Sequence, residues 1–291
     1  MYENQKDKSI QRLTIKMDRG YIYLNKNNYL HNIEVLKNLS KKELCLVVKA
    51  NAYGHGLEWA VKNAKESGVK WFAVASVGEG IQVKTIYGES RVLLLAEPSK
   101  NQLENVKVND IDLTVYSESF IDTLIKTGDE YNVHLKIDTG MHRLGCPPEK
   151  FHDLYKKIVD SNLNLIGICT HFPLADTDET ETKKSIELFE KTISDIDLSN
   201  MLLHVDNSAS SLYKLDNSFN MARVGIAAYG VQITAVENEN KLLPTMEIKT
   251  RVSNLQVRKK GEAVSYGKAQ RLSRDSIIAT APIGYGDGYP W

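Results

Sequence analysis

The chain has 291 residues, of which 42% are hydrophobic and 25% charged, as in an ordinary soluble globular protein. Its 37 basic and 37 acidic residues cancel to a formal net charge of zero, which argues against a polyanion or an anionic membrane surface as partner. The polar start MYENQKDKSIQR is not a secretory signal, and the three cysteines lack metal-ligand spacing, so we expect a reduced, cytoplasmic protein without a metal.

Short apolar runs rich in β-branched residues alternate with amphipathic stretches over about the first 230 residues. Most are apolar on both faces, which is typical of strands buried on both sides of a parallel sheet. The eight runs are CLVVKA (45–50), WFAVAS (71–76), RVLLLA (91–96), DLTVYS (112–117), VHLKID (133–138), LIGICTH (165–171), LLHVDNS (202–208) and RVGIAAYG (223–230).

Segments with a helical period of apolar residues lie between the runs, most clearly at 56–68, 149–161 and 185–196. Eight strands with intervening helices predict an α/β fold, a (β/α)8 TIM barrel. An open doubly wound sheet is the rival. It often carries an early glycine fingerprint after its first strand, and that fingerprint is missing here.

The pattern changes after residue 240, where polar and apolar residues alternate and β-branched residues are frequent. This predicts antiparallel β-structure with turns. We therefore expect a cofactor-binding barrel at 1–242 and a β-rich C-terminal domain at 243–291. Because so short a strand-rich segment cannot close its own core, we expect it to be incomplete and the chain to be a fragment.

Polar residues gather where the predicted strands end, and in a TIM barrel the chemistry collects at those carboxyl ends. A lone lysine there is usually a surface residue. Here, however, an amine, cations, small hydroxyls and glycine amides would share one mouth, which suits an aldehyde cofactor with a phosphate. Pyridoxal 5'-phosphate is the obvious candidate. The residues concerned are Lys49, Asp138, Arg143, His171, Asn207, Ser208, Arg223, Gly225 and Ile226.

Several motifs resemble those of the alanine racemase family, which is pyridoxal-phosphate-dependent and of fold type III. They follow the family's order from about residue 17 onward, and their order and spacing are far more specific than a lone K-x-N. The resemblance implies an isomerase that interconverts L- and D-alanine and supplies D-alanine for peptidoglycan. The motifs are VVKANAYGHG (47–56), KIDTGMHRLG (136–145), THF (170–172), DNSAS (206–210), ARVGIAAYG (222–230), AVSYGKA (263–269) and PIGYGDGYP (282–290).

The resemblance also implies roles for individual residues. Lys49 would form the imine with the cofactor and act as one base, and Tyr266 would be the second. Arg143 would bind the substrate, Lys136 is a candidate for carbamylation, and Tyr285 would line the substrate entrance. The implied cofactor-binding residues are Lys49, Tyr53, His171, Asn207, Ser208, Arg223, Gly225 and Ile226.

The family's catalytic tyrosine comes from a neighbouring subunit, so the resemblance implies a head-to-tail homodimer with shared active sites and a small amino acid as substrate. A serine or broad-specificity racemase of the same fold is an alternative. A non-catalytic pyridoxal phosphate carrier is another. The tyrosine of the SYG motif, Tyr266, argues against the carrier, because a carrier has no use for a second base.

Overall fold

The computed structural model describes residues 12–17, 19–213, 219–233, 242–268 and 270–289. The chain divides into two compact units. One is Asn27–Thr245, and the other combines Met1–Lys26 with Met246–Trp291.

The described residues form strands in both units and helices mainly in the first. The strands are β1 (Arg12–Met17), β2 (Gly20–Asn25), β3 (Glu43–Val47), β4 (Trp71–Val74), β5 (Arg91–Leu94), β6 (Ile111–Val115), β7 (Asn132–Lys136), β8 (Asn164–Cys169), β9 (Leu202–Asp206), β10 (Met221–Val224), β11 (Met246–Thr250), β12 (Asn254–Arg258), β13 (Ala263–Val264), β14 (Gln270–Arg271) and β15 (Ser276–Thr280). The right-handed helices are α1 (Lys26–Ser40), α2 (Leu57–Glu66), α3 (Val77–Ile86), α4 (Leu103–Val108), α5 (Glu118–Thr127), α6 (Phe151–Val159), α7 (Glu179–Thr192) and α8 (Ser208–Tyr213).

The eight strands β3 to β10 form a closed parallel barrel in chain order. The last strand closes the barrel by pairing with the first, with Met221 opposite Glu43. Side chains such as Phe72, Leu113 and Val133 are fully buried, as expected for strands with an apolar environment on both faces. The predicted (β/α)8 fold is confirmed.

Local signals in the sequence explain the ends of several helices. Ser117 caps the start of α5 by accepting a hydrogen bond from the amide of Phe120, and Gly128 ends the helix at a φ of 73°. Asp178 caps α7 in the same way, so this helix begins at Glu179 rather than at residue 185 as predicted. The polar first turns of α7 lack the apolar period on which the prediction rested.

The eighth predicted run also needs a correction. Strand β10 stops at Val224, and the chain turns at Gly225 with a φ of −115° and a ψ of −101°. Residues Ile226–Tyr229 form a 3-10 helix instead of the rest of a strand. After Arg223 the run is apolar because both the strand and most of the 3-10 helix are buried, and apolar character alone does not distinguish them.

The second unit is built of antiparallel strands, as the alternating pattern predicts. Strands β1, β2 and β11 form a three-stranded sheet in which Ile22 lies opposite Ile248. Strand β12 pairs with β15, and β13 pairs with β14. In this sheet the N-terminal strand β2 pairs with β11 of the C-terminal segment. The division of the chain into two domains at residue 242 remains a prediction. Among the helices described, none has the length and apolar character needed to cross a bilayer.

Candidate active site

A cavity of about 490 Å³ opens among the residues that follow the barrel strands. All the predicted site residues of the barrel unit except Asp138 line it, although these residues come from five different strand ends. They are Lys49, Tyr53, Lys136, Arg143, His171, Asn207, Ser208, Arg223, Gly225 and Ile226. The carboxyl ends of parallel barrel strands meet at one rim, which explains how distant positions converge there.

Lys49 lies at the start of a left-handed turn, Lys49–Tyr53, two residues beyond the end of β3. Four successive non-glycine residues of this turn, Ala50 to Tyr53, have φ values between 51° and 54°. A left-handed conformation costs about 1–2 kcal/mol per residue, so the turn needs support from its surroundings. Its two ends, Lys49 and Tyr53, both face the cavity.

Side chains supply that support. One carboxylate oxygen of Glu79, in the first turn of α3, accepts from the amide of Ala50 at 2.7 Å, and the other accepts from the amide of Ala75 at 2.9 Å. Asn51 Oδ1 accepts from the amide of Leu57 at 2.8 Å. The turn is therefore tied at its second residue, Ala50, to the neighbouring βα unit and in its middle to the helix that follows.

Tyr53, Ser208 and Gly225 form a small polar cradle at one side of the cavity. The Ser208 hydroxyl oxygen accepts from the amides of Gly225 at 2.9 Å and Ala227 at 3.4 Å, so its own proton is left to donate. A Cβ at Gly225 would lie 2.6 Å from the Tyr53 hydroxyl oxygen, so a larger residue would displace Tyr53. Hydroxyl donors converging beside a glycine backbone suit an anion such as a phosphate.

Arg223 on β10 is 6% exposed, and its guanidinium is held by neutral acceptors. Nη1 donates to His204 Nδ1 at 2.7 Å and to the His204 carbonyl oxygen, and Nη2 donates to the Thr170 carbonyl oxygen at 2.5 Å and to His171 Nδ1 at 3.4 Å. Within the described part of the chain, no carboxylate pairs with Arg223, and all its hydrogen bonds run through Nη1 and Nη2, which leaves the Nε–H without an acceptor. A full positive charge and one free donor therefore remain beside the cavity.

The other basic groups of the cavity respond to this charge. Burial, together with the charges of Arg223, Lys136, Arg143 and Lys49, lowers the pKa of His171 to about 3, so its imidazole is neutral at physiological pH. Burial, with Arg223 and Arg143 nearby, also lowers the pKa of Lys136, which is 8% exposed. The cavity thus holds an excess of positive charge and favours a ligand with anionic groups.

Arg143 reaches the cavity on a loop that folds back on strand β7. The Cys146 amide donates to the Lys136 carbonyl oxygen at 2.8 Å, and the Asp138 amide donates to the Cys146 carbonyl oxygen at 2.9 Å. Gly145 has a φ of 136°, and a Cβ there would lie 2.6 Å from the Asp138 nitrogen, so this close return requires glycine.

Tyr266 and Tyr285 belong to the second unit. Tyr266 lies between β13 and β14, with Ser265 and Gly267 on either side at φ values of 65° and 70°. Its side chain is 92% exposed, and that of Tyr285 is 73% exposed.

Sequence reasoning missed Glu79 and the buried histidine His134 on β7. The tetrapeptide that runs from Ser76 to Glu79 has the pattern of a helix capping box, which is a structural signal only. Ser76 does cap α3, but the Glu79 carboxylate extends to Ala50 as well. No linear pattern reveals that second contact, because it joins two different βα units. Among the described residues, no cluster of three or more His, Cys, Asp and Glu side chains could hold a metal ion.

Comparisons with known proteins agree with this arrangement. A family model described as alanine racemase, N-terminal domain, matches residues 24–233, and one described as alanine racemase, C-terminal domain, matches residues 245–291. The alanine racemase of Treponema denticola is 36% identical over 90% of this chain and 73% of its own length. That of Fusobacterium nucleatum is 33% identical over 93% of this chain and 77% of its own length.

A solved structure shows the same fold. The alanine racemase of Clostridium difficile 630 superposes with a TM-score of 0.83 at 30% identity, covering 95% of this chain and 76% of that chain. The chain combines a closed parallel barrel with a β-rich unit, and the barrel has a cationic cavity with a lysine at its rim. These features together define a class of barrel enzymes. The chain belongs to the alanine racemase family.

Proposed function

We propose that this chain is an alanine racemase that interconverts L-alanine and D-alanine with pyridoxal 5'-phosphate bound at the barrel mouth. One observation carries the proposal: a single cavity brings the Lys49 amine together with the cradle of Tyr53, Ser208 and Gly225. The comparisons support the same activity, since the relatives named above are alanine racemases. We further propose a cytoplasmic location, which the three free, buried cysteines support.

The residues of the cavity fit this cofactor. The cradle, with Ile226 and Asn207 beside it, would hold the phosphate, because hydroxyl and amide donors converge there. Arg223 would offer its free Nε–H to the pyridine nitrogen and, being an arginine, would not give up its proton. Arg143 would bind the phenolic oxygen and the substrate carboxylate. Bound pyridoxal phosphate supplies an aldehyde for amine condensation and a ring that stabilises negative charge at the substrate Cα.

Racemisation removes the Cα proton from one face of alanine and returns a proton to the other face. Lys49 Nζ, at the rim of the cavity, would move the proton of the D-enantiomer. The Tyr266 hydroxyl would move the proton of the L-enantiomer from the opposite face. Two bases on opposite faces remove the need for one base to cross over.

The neutral His171 would brace both Arg223 and the second base. Its Nδ1 already accepts from Arg223 Nη2, so its remaining proton lies on Nε2 and is available to another acceptor. A homodimer with shared sites, in which Tyr266 of one chain serves the cavity of the other, fits the high exposure of that side chain. The D-alanine formed would supply peptidoglycan synthesis.

A racemisation assay tests the function. The chain, saturated with pyridoxal phosphate, is incubated in deuterium oxide with a panel of L-amino acids that includes alanine, serine and histidine. We expect deuterium at Cα and formation of the D-enantiomer, fastest with alanine. Preference for serine or broad turnover would favour the alternative racemase, and cofactor binding without exchange of any Cα proton would indicate a carrier.

A further inference from the structure

A line of buried polar side chains runs through the barrel interior from Arg223 toward the amino-terminal ends of the strands. His204 Nε2 lies 2.8 Å from His134 Nδ1, and His134 Nε2 lies 3.3 Å from Asp112 Oδ2. The two histidines and Asp112 are fully buried. Arg91 completes the line by donating to Asp112 Oδ2 at 2.6 Å.

The two ends of the line fix the proton positions along it. An arginine only donates, so His204 Nδ1 must be an acceptor and the proton of that ring lies on Nε2. This Nε2–H then donates to His134 Nδ1, which must also be unprotonated, since two N–H groups cannot share a 2.8 Å contact. The His134 proton therefore lies on Nε2 and points at the Asp112 carboxylate.

We propose that His204, His134 and Asp112 form a one-directional hydrogen-bond relay that positions Arg223, with both histidines neutral and protonated on Nε2. The inference rests on the proposed function, because it names positioning residues for that same site. Asp112 acts from the far side of two imidazole rings, and together with Arg223 it fixes the direction in which every bond of the relay runs. Burial lowers the pKa of His204 well below its usual value, in keeping with a neutral ring.

The relay explains how a buried arginine is held while it keeps its charge. A carboxylate in direct contact would neutralise Arg223, whereas the neutral His204 Nδ1 holds it without doing so. The carboxylate at the far end is compensated by Arg91, which also lies over the Trp71 ring at 4.6 Å. Hydrogen bonds in such a chain polarise one another in the same direction, so each strengthens the next.

The first experiment needs no substitution. Side-chain nitrogen NMR of the full chain with labelled histidine reports which ring nitrogen carries the proton. His134 can be assigned through contacts to Trp71, whose ring centroid lies 5.8 Å away, and His204 through contacts to His134 at 4.9 Å. We expect Nε2–H and a bare Nδ1 in both rings at pH 7. An imidazolium or an Nδ1–H tautomer in either ring overturns the proposal.

The second experiment compares Asp112→Asn with Asp112→Leu, which have similar volumes. Asparagine still offers an oxygen to His134 and Arg91, so the Arg223 Nη–H signals should stay separately resolved, as for a guanidinium that cannot rotate. Leucine removes the acceptor and leaves the His134 Nε2–H without a partner, so that this end of the relay no longer holds His204 in place against the arginine. We then expect loss of the resolved Nη–H signals and a fall in kcat on the order of ten-fold, with KM within about two-fold.

Asn132→Leu is the matched control, because Asn132 binds the other oxygen of the same carboxylate at 3.2 Å and lies outside the relay. It should leave the Arg223 signals and both tautomers unchanged. The proposal is overturned if Asp112→Leu retains the resolved signals, or if Asp112→Asn or Asn132→Leu loses them. If none of these proteins racemises alanine, the proposed function fails, while the NMR signals still test the relay on their own.

Discussion

The amide of Ala50, one residue beyond Lys49, donates to the Glu79 carboxylate at 2.7 Å. Lys49 therefore lies in a turn with the unfavourable left-handed conformation, and the side chain of Glu79 from the next βα unit holds this turn in place. The hydrogen bonds of Glu79 and Asn51 offset the strain energy of the left-handed backbone. This balance leads to the first prediction.

Ala50→Gly should stabilise the protein by roughly 0.5–1 kcal/mol. Glycine adopts a φ of 52° without strain, and this gain is larger than the cost of the extra backbone freedom that glycine loses on folding. Urea unfolding measures the difference. The control is Ala64→Gly in the right-handed helix α2, which should destabilise by about 1 kcal/mol. Equal destabilisation by both substitutions would contradict the left-handed turn.

Lys49→Ala should abolish both racemisation and the covalent pyridoxal adduct that borohydride traps in the wild-type chain. Mass spectrometry of the reduced, digested protein locates the adduct. Lys62→Ala serves as control, since that lysine is exposed on α2 and pairs with Glu58 on the same helix. An adduct of undiminished yield on another lysine of the Lys49→Ala variant would remove Lys49 from the proposed role.

The stability of the protein should depend on His171 below neutral pH. Its pKa is lowered to about 3 in the fold, so the unfolded state takes up a proton first as the pH falls below about 6.5. The stabilisation is complete above that pH and is lost as the pH falls toward 3. Between pH 8 and 5.5 the loss is about 1.4 kcal/mol for this residue.

His171→Asn should remove that part of the pH dependence in urea unfolding, so the gap to the wild type narrows as the pH falls. A His171→Asn curve that runs parallel to the wild-type curve over this pH range would show that His171 is not buried as a neutral ring.

Lys136 should carry a carbamate in the presence of carbon dioxide. Its lowered pKa leaves more neutral amine to react, and the anionic product would lie between the charges of Arg143 and Arg223. In protein exposed to 13C-labelled bicarbonate, a carbamate carbon signal should be present in the wild type and absent in Lys136→Met. A signal that persists unchanged in Lys136→Met would place the modification elsewhere.

A mixture of Lys49→Ala and Tyr266→Phe chains should recover activity that neither variant has alone. In a mixed dimer with shared sites, one site carries both defects and the other pairs an intact Lys49 with an intact Tyr266. One fully competent site per mixed dimer should restore about a quarter of wild-type activity after statistical exchange. If subunit exchange is verified and activity does not return, both bases come from one chain.

The barrel was predictable because its strands are apolar on both faces and alternate with amphipathic helices. Most barrel site residues were found through motifs that stand at strand ends, where each is adjacent in sequence to a recognisable apolar run. The left-handed turn was not predictable, since alanine disfavours this conformation and asparagine adopts it only as a single residue. Only tertiary contacts such as that of Glu79 select this conformation.

The interior relay escaped prediction for a different reason. His134 sits in the apolar run VHLKID, where a single histidine reads as an ordinary buried residue. Whether it meets His204 or Asp112 depends on which interior positions face one another across the barrel, and local pattern does not report that register. The pairing of β2 with β11 was missed likewise, because the two strands are separated by the entire barrel.

Closure of the barrel through β3 and β10 has a consequence for biosynthesis. One edge of β3 has no partner until β10 has been translated, roughly ten to forty seconds later at typical ribosome speeds. Through that interval the nascent chain exposes a buried-type strand edge of the kind that draws other chains into aggregates. Slower translation at low temperature would lengthen this interval, and a chaperone that covers the edge of β3 would shorten the exposure.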